Sequence, residues 1–379
     1  MALESLRLVR FEAIHWYVRD VERLRRFMVD VCDYAEIGAS SEVYEARTGM
    51  RTYAFQAGQA LLLVSESLRP GSEVDRFLAR HPEGIGELRL QTEDARHTFA
   101  VLDGRGGTPI DDVATLEDDH GRYDEFSIAT PIASTNYRFV QRANASAPFW
   151  GFVPYDAPRG GSNRFHLLSW DHVTSNFRTL APFSLWMEHV MGFERYWDVQ
   201  FHTDGDEVPG SGLRSVVWWD PRSGVRFANN EPLRPRFNAS QIQLFVDDHG
   251  GNGVQHAAWL VDDIQSAVTG LRERGAPFLP TPDAYYRYMP ERLEKCGIGR
   301  IDESIEDLRR LQILVDGSAH HKYMLQIFMK DMATIAGSRD AGPFFYEIVQ
   351  RKGDRGFGAG NFRALFESIE REQHTQGRA

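Results

Sequence analysis

The feature that most constrains this chain is that it repeats itself. Gly84-Ile85-Gly86-Glu87-Leu88-Arg89-Leu90 is followed by Glu93-Asp94 and then by Arg105-Gly106-Gly107. Gly253-Val254-Gln255-His256-Ala257-Ala258-Trp259 is followed by Asp262-Asp263 and Arg274-Gly275-Ala276, at a constant offset of 169 residues. Each copy predicts a strand, a helix capped by Asp94 or Asp263, and a glycine stop. Two further pairs keep the same order. Phe11-Glu12-Ala13-Ile14-His15-Trp16 matches Leu168-Ser169-Trp170-Asp171-His172-Val173, and Tyr137-Arg138-Phe139-Val140-Gln141-Arg142 matches Tyr346-Glu347-Ile348-Val349-Gln350-Arg351. The expectation is two halves with one β-α-β-β-β-like plan. The Gly- and Pro-containing segment 149–163 is read as the loop that links them.

The repeat also predicts which half carries chemistry. In the second half the matched positions hold His172, His256 and Glu347; in the first they hold His15, Glu87 and Arg138. An arginine stays protonated and has no lone pair to give a metal. The first half, 8–150, is therefore expected to be structural and metal-free, with an Arg138–Glu87 ion pair where an ion would sit. The second, 164–373, keeps two imidazoles and one carboxylate. Two His and one carboxylate with open positions beside them is the non-haem Fe(II) oxygenase arrangement, although zinc or manganese could occupy such a set.

Other features carry less. His320-His321 reads as a solvated turn before a strand. The acidic, glycine-rich run Asp247–Gly253 is out of register for a calcium loop and reads as a turn. Gly205–Gly212 has no lysine and opens no helix, so it is not a phosphate cradle. Gln241 and Gln243 read, by residue type alone, as polar positions on a surface strand. With 43 Lys and Arg against 54 Asp and Glu, the chain carries −11 charges, which argues against a phosphate-backbone binder. No run approaches ~20 apolar residues, so no membrane span is expected. The opening residues lack an apolar core of signal-peptide length, and there are two distant cysteines, Cys32 and Cys296. A cytoplasmic protein is the expectation.

Six motifs together resemble the 4-hydroxyphenylpyruvate dioxygenase family: Gly253-Val254-Gln255-His256, Ser240-Gln241-Ile242-Gln243, Asn230-Glu231-Pro232, Leu325-Gln326-Ile327-Phe328, Glu347 to Gly353, and Gly356 to Phe362. The resemblance is strong over 165–372 and mostly architectural before that. It implies an α+β fold of two tandem open β-barrel domains built from paired βαβββ modules of the vicinal oxygen chelate type, with a C-terminal lid helix. It implies Fe(II) held by His172, His256 and Glu347. Ser215, Asn230, Gln241, Gln255, Phe328, Phe345, Asn361 and Phe362 become candidate substrate-binding residues, and Gln255, Gln326 and Phe362 candidate catalytic ones. The implied substrates are a small 2-oxo acid, 4-hydroxyphenylpyruvate, and O₂; the products are homogentisate and CO₂, as in tyrosine catabolism. A homodimer or homotetramer is implied as well.

The lid also reads from the residues. Asn361 is placed to cap a helix reaching about residue 373, with Phe362, Leu365, Phe366 and Ile369 at i, i+3, i+4, i+7. Three rivals stand beside the main reading. 4-Hydroxymandelate synthase shares the iron, ligands and substrate but oxidises the benzylic carbon; that enzyme tends to carry smaller or apolar residues where this chain has Phe362 and Asn230. An extradiol catechol dioxygenase lacks the Gly-rich start of the last helix. A ligand-binding paired-module protein would not need an intact ligand triad. Trp218, Trp219 and Trp259 are larger than expected and put the pocket volume in question.

Overall fold

The computed structural model describes residues 3–202, 211–357 and 361. Among them the chain forms two sheets. The first contains β1 (Leu8–Tyr17), β2 (Ala35–Ser40), β3 (Met50–Ala57), β4 (Ala60–Ser67), β5 (Gly84–Thr92), β6 (Thr108–Pro109), β7 (Ala114–Asp118), β8 (Gly121–Ala129), β9 (Asn136–Ala143) and β10 (Phe152–Gly160). The second contains β11 (Leu167–Asn176), β12 (Glu194–His202), β13 (Gly212–Trp219), β14 (Arg226–Leu233), β15 (Gly253–Val261), β16 (Leu314–Ala319), β17 (Lys322–Phe328) and β18 (Phe345–Lys352). The first runs β10-β2-β3-β4-β1-β5-β9-β8-β6 with β7 on β8, and the second β12-β13-β14-β11-β15-β18-β17-β16. In both, the leading strands of two modules lie antiparallel at the centre, each flanked by a parallel neighbour.

The repeat appears as anticipated around β5 and β15. Helices Ala95–Gly104 and Ile264–Glu273 follow them, capped by Asp94 and Asp263 side chains. Strand register corrects one match. The β1–β5 pair is bulged between Leu8 and Arg10, Phe11 and Ala13, and His15 and Trp16. The β11–β15 pair is bulged between Leu167 and Ser169, Trp170 and His172, and Thr174 and Ser175. All three bulges recur 159 residues on, so Ala13, not His15, occupies the place of His172. His15 corresponds to Thr174. A two-residue slip keeps the same face of a strand, so the apolar pattern could not reveal it.

Two local expectations also change. The segment read as a linking loop holds β10, an edge strand on β2. An edge strand tolerates Pro154 and Pro158. Gly38 makes the pairing possible, since a Cβ there would lie 2.3 Å from the Val153 carbonyl oxygen. Gln241–His249 is a helix rather than a strand followed by a turn. Ile242, Phe245, Val246 and His249 bury one helical stripe, Ser240 caps the start, and Gly250 in the left-handed region ends it. His320 and His321 do sit in the turn between β16 and β17.

The sheets pack back to back. Ile14, Trp16, Leu88 and Phe139 of the first share one core with Val173, Phe227, Trp259 and Tyr346 of the second. Trp259 stacks on Tyr346 with centroids 4.2 Å apart, and Trp16 meets Phe344 edge-on at 4.7 Å. The large tryptophans are thereby placed: Trp218 and Trp259 belong to this shared core, and Trp219 packs on Tyr196. Ala258, between Ala257 and Trp259, faces the other way, toward Met324 and Val349. The other face of the first sheet lines a cavity, and that of the second carries His172, His256 and Glu347.

Candidate metal centre

Three neighbouring strands of the second sheet supply the centre. On β11, His172 lies opposite Ala258 of β15, and Ala258 lies beside Glu347 of β18. His256 projects from β15 two residues before Ala258, on the same face. The Nε2 atoms of His172 and His256 lie 3.2 and 3.3 Å from Oε2 of Glu347. One potential ligand atom from each residue falls within 4.8 Å of the others, and all three side chains are buried.

The rear of each imidazole is held. His172 Nδ1 lies 2.8 Å from Asp171 Oδ1. Asp171 also accepts a two-pronged bond from Arg351, at 2.6 and 2.7 Å, and one from Arg226 at 3.0 Å. His256 Nδ1 lies 3.1 Å from Gln255 Oε1, and Gln255 Nε2 donates to Gln241 Oε1 at 3.3 Å. With the rear nitrogens as donors, both Nε2 lone pairs face the carboxylate, the tautomer a metal requires. Phe357 meets His172 edge-on at 5.0 Å, with the Arg226 and Arg351 guanidinium groups over its ring.

Electrostatics agree with a cation site. Burial opposes ionisation of Glu347, but the imidazoles more than offset it and hold its pKa below the usual range. Burial also opposes the Asp171 charge, yet Arg351, Arg226 and His172 keep its pKa well below normal. The imidazoles diverge. Burial lowers His256, whereas at His172 the facing Glu347 and Asp171 outweigh burial and raise it. A buried carboxylate needs compensation, and a divalent cation between these three groups would supply it without protonating either ring.

Beside the centre, buried polar groups lack partners. Ser215 and Asn230 pair across β13 and β14, and Asn176 pairs with Asn230 across β11 and β14. Asn230 Nδ2 donates to Asn176 Oδ1 at 3.0 Å. Ser215 Oγ, Asn230 Oδ1, Asn176 Nδ2 and Gln326 Oε1 have no hydrogen-bond partner among the described residues. Buried orphans of this kind are costly and point to a polar ligand. Phe345 stacks on His256 at 4.9 Å and Phe328 meets it edge-on at 6.2 Å. Gln243 bonds instead to Asp247 on its own helix. Asn361 is buried; its backbone N–H donates to Asp316, and its side-chain amide lies 2.7 Å from the Tyr285 hydroxyl. Phe362 and the lid helix after Asn361 lie outside the described residues.

Sequence reasoning passed over Asp171, Arg226, Arg351, Asn176 and Phe357. A signal existed for Asp171, a carboxylate directly before a ligand histidine. By register it matches Glu12, which accepts from Arg142 at 2.5 Å, as Asp171 accepts from Arg351. The acid–arginine pair is thus common to both halves. Only in the second does an imidazole sit on the acid; Ala13 offers none in the first.

The corresponding place in the first sheet holds an ion pair. Arg138 Nε donates to Glu87 at 2.6 Å, and His15 Nδ1 lies 3.2 Å from the same carboxylate. His15 Nε2 lies 2.6 Å from Ser65 Oγ.

Two back-to-back sheets of paired βαβββ modules, with a two-histidine, one-carboxylate centre in one of them, define the class: a vicinal-oxygen-chelate-type protein. No family model matches the chain. It is 30% identical to 4-hydroxyphenylpyruvate dioxygenase of Yarrowia lipolytica over 97% of this chain and 93% of that protein. It is 35% identical to the Dictyostelium discoideum 4-hydroxyphenylpyruvate dioxygenase over 79% of this chain and 80% of that one. Its fold is similar to that of a mutant of 4-hydroxymandelate synthase from Streptomyces coelicolor, with a TM-score of 0.77 and 27% identity over 97% of this chain and 99% of that one. The chain belongs to the 4-hydroxyphenylpyruvate dioxygenase family.

Proposed function

We propose that the chain converts 4-hydroxyphenylpyruvate and O₂ to homogentisate and CO₂, through oxidative decarboxylation, ring hydroxylation and migration of the acetate side chain. The observation that carries this reading is the convergence of two Nε2 atoms and one carboxylate, each imidazole fixed from behind. Fe(II) is the ion proposed for His172, His256 and Glu347; when bound, it supplies the redox chemistry that joins a 2-oxo acid to O₂.

The chain's own residues do the rest. Asp171 and Gln255 position the ligand histidines. Ser215 Oγ and Asn176 Nδ2 can donate to the substrate's oxygens, and Asn230 Oδ1 and Gln326 Oε1 can accept from its phenol hydroxyl, all without adding charge to the pocket. Phe328 and Phe345 form a wall that orients an aromatic ring and excludes water, which would otherwise quench an oxidising step. Gln241 holds Gln255, and through it the His256 ring. Asn361, tied to Asp316 and Tyr285, anchors the segment that leads to Phe362, proposed as the opposite wall.

4-Hydroxymandelate synthase activity is the second reading, favoured by the structural likeness to that enzyme. The buried Asn230 amide beside Ser215 favours ring chemistry on a phenol held by hydrogen bonds. The test is oxygen uptake with Fe(II) and 4-hydroxyphenylpyruvate, with the product identified by mass spectrometry. Homogentisate supports the proposal; 4-hydroxymandelate transfers it to the second reading. A cytoplasmic homodimer or homotetramer completes the proposal. It is supported by the family resemblance and by two free thiols, Cys32 and Cys296.

A further inference from the structure

The first barrel is not filled. Its concave face encloses a cavity of about 320 Å³, within the size range of small-molecule sites. An ordinary small barrel packs its interior with apolar side chains. Here the floor is an ion network. Arg138 bonds Glu87 and, through Nη1 at 3.1 Å, Glu125; Arg89 Nη2 donates to the same Glu125 at 3.2 Å. Such networks cost desolvation and are weak evidence for stability. The floor carries two guanidinium groups against three carboxylates, Glu87, Glu125 and Asp111, the last also under the influence of Arg138.

The mouth is not balanced. Arg47, Arg69 and Arg76 line it and are exposed. Among the described residues none of them pairs with a carboxylate: Arg69 donates to the Arg47 carbonyl oxygen, Arg76 to the Gly71 carbonyl oxygen, and Arg47 lies over the Trp150 ring. Glu73 is at the mouth too, and accepts from the Tyr17 hydroxyl. None of these three guanidinium groups has a carboxylate partner among the described residues, and the whole lining carries five arginines against four carboxylates, a net positive site in a chain of net charge −11. One wall is aromatic: Tyr44, Phe149 and Trp150 line the cavity, with Tyr44 and Phe149 centroids 5.1 Å apart.

We infer that the first barrel is a binding site for a small organic anion with a planar ring, an aromatic carboxylate, whose charged end meets Arg47, Arg69 and Arg76 and whose ring lies along Tyr44, Phe149 and Trp150. The site is separate from the metal centre, so each half of the repeat holds a ligand. One uses an ion to engage it and the other uses arginine.

The test is calorimetric titration of the full chain with 4-hydroxybenzoate and, separately, with inorganic phosphate. His172→Ala disables the metal centre and separates the two sites. In His172→Ala, 4-hydroxybenzoate still binds, and adding Arg69→Ala and Arg76→Ala weakens it by about tenfold or more, the loss expected when charge-assisted hydrogen bonds are removed. Trp150→Phe keeps the wall and abolishes the change in tryptophan emission on binding. Loss of all binding in His172→Ala, indifference to the arginine substitutions, an emission change that persists in Trp150→Phe, or phosphate binding as tight as 4-hydroxybenzoate would each overturn the inference.

Discussion

Asp171 shows what a single residue adds here. Its carboxylate takes one hydrogen bond from the His172 imidazole and three from two arginines, so it fixes both the His172 tautomer and its direction. Asp171→Asn is expected to keep the fold and weaken iron retention about 10–100-fold, the usual loss for a group orienting a metal ligand, as measured by metal content after dialysis against a chelator. Glu347→Ala should lose retention and turnover together; a fully active variant would remove the ligand assignment. The three candidate ligands were legible as residue types, and the repeat matched His256 and Glu347 in the register that the strands show, whereas the match for His172 was two residues off. Asp171–Arg351 was not, since the partners are 180 residues apart in sequence and surface arginines are common. Gln255, expected as both a catalytic and a substrate-binding residue, also has its Oε1 3.1 Å from His256 Nδ1, a contact its residue type alone does not announce.

At the scale of elements, strands with apolar runs and Asp-capped helices were readable, because capping and burial act locally. The helix Gln241–His249 was not. Gln-Ile-Gln-Leu alternates like a strand, and only tertiary burial of the stripe ending in His249 decides for a helix. His249 stacks on His81 at 4.6 Å and on Phe245 at 5.5 Å. Burial, aided by His81, lowers its pKa from 6.5 to about 4. A histidine depressed in the folded state contributes stability that is complete above its unfolded pKa, near 6.5. That contribution is lost as the pH falls toward 4. The full span is worth roughly 3 kcal/mol. The urea midpoint should therefore drop between pH 7 and pH 5, and His249→Gln should flatten that drop. An unchanged drop in the variant would assign it to other groups. The same helix begins at Gln241, which holds Gln255, so acid loosening of its end would also reach the metal centre.

On the scale of the whole molecule, two sheets share their convex faces in one core and keep their concave faces for different tasks. The tandem plan was legible from the repeat. The back-to-back packing was not, because Trp218 and Trp259 carry no mark saying which sheet face they occupy; stacking on Tyr346 settles it for Trp259. A first half that takes no part in the proposed oxidation makes a specific demand of Arg138. Arg138→Ala leaves Glu87 buried with its main cation gone, which should cost about 3–5 kcal/mol in chemical denaturation. Turnover by the surviving folded protein should stay within about tenfold, since the candidate metal centre lies in the other sheet. Complete loss of kcat in folded Arg138→Ala would refute that division.

The most direct measurement is an anomalous difference map at the iron edge from crystals grown with ferrous salt. The account predicts one peak per chain, between His172 Nε2, His256 Nε2 and the Glu347 carboxylate, and none beside Glu87 and Arg138. A map with no peak at those three side chains, or with one in the first barrel, would contradict it.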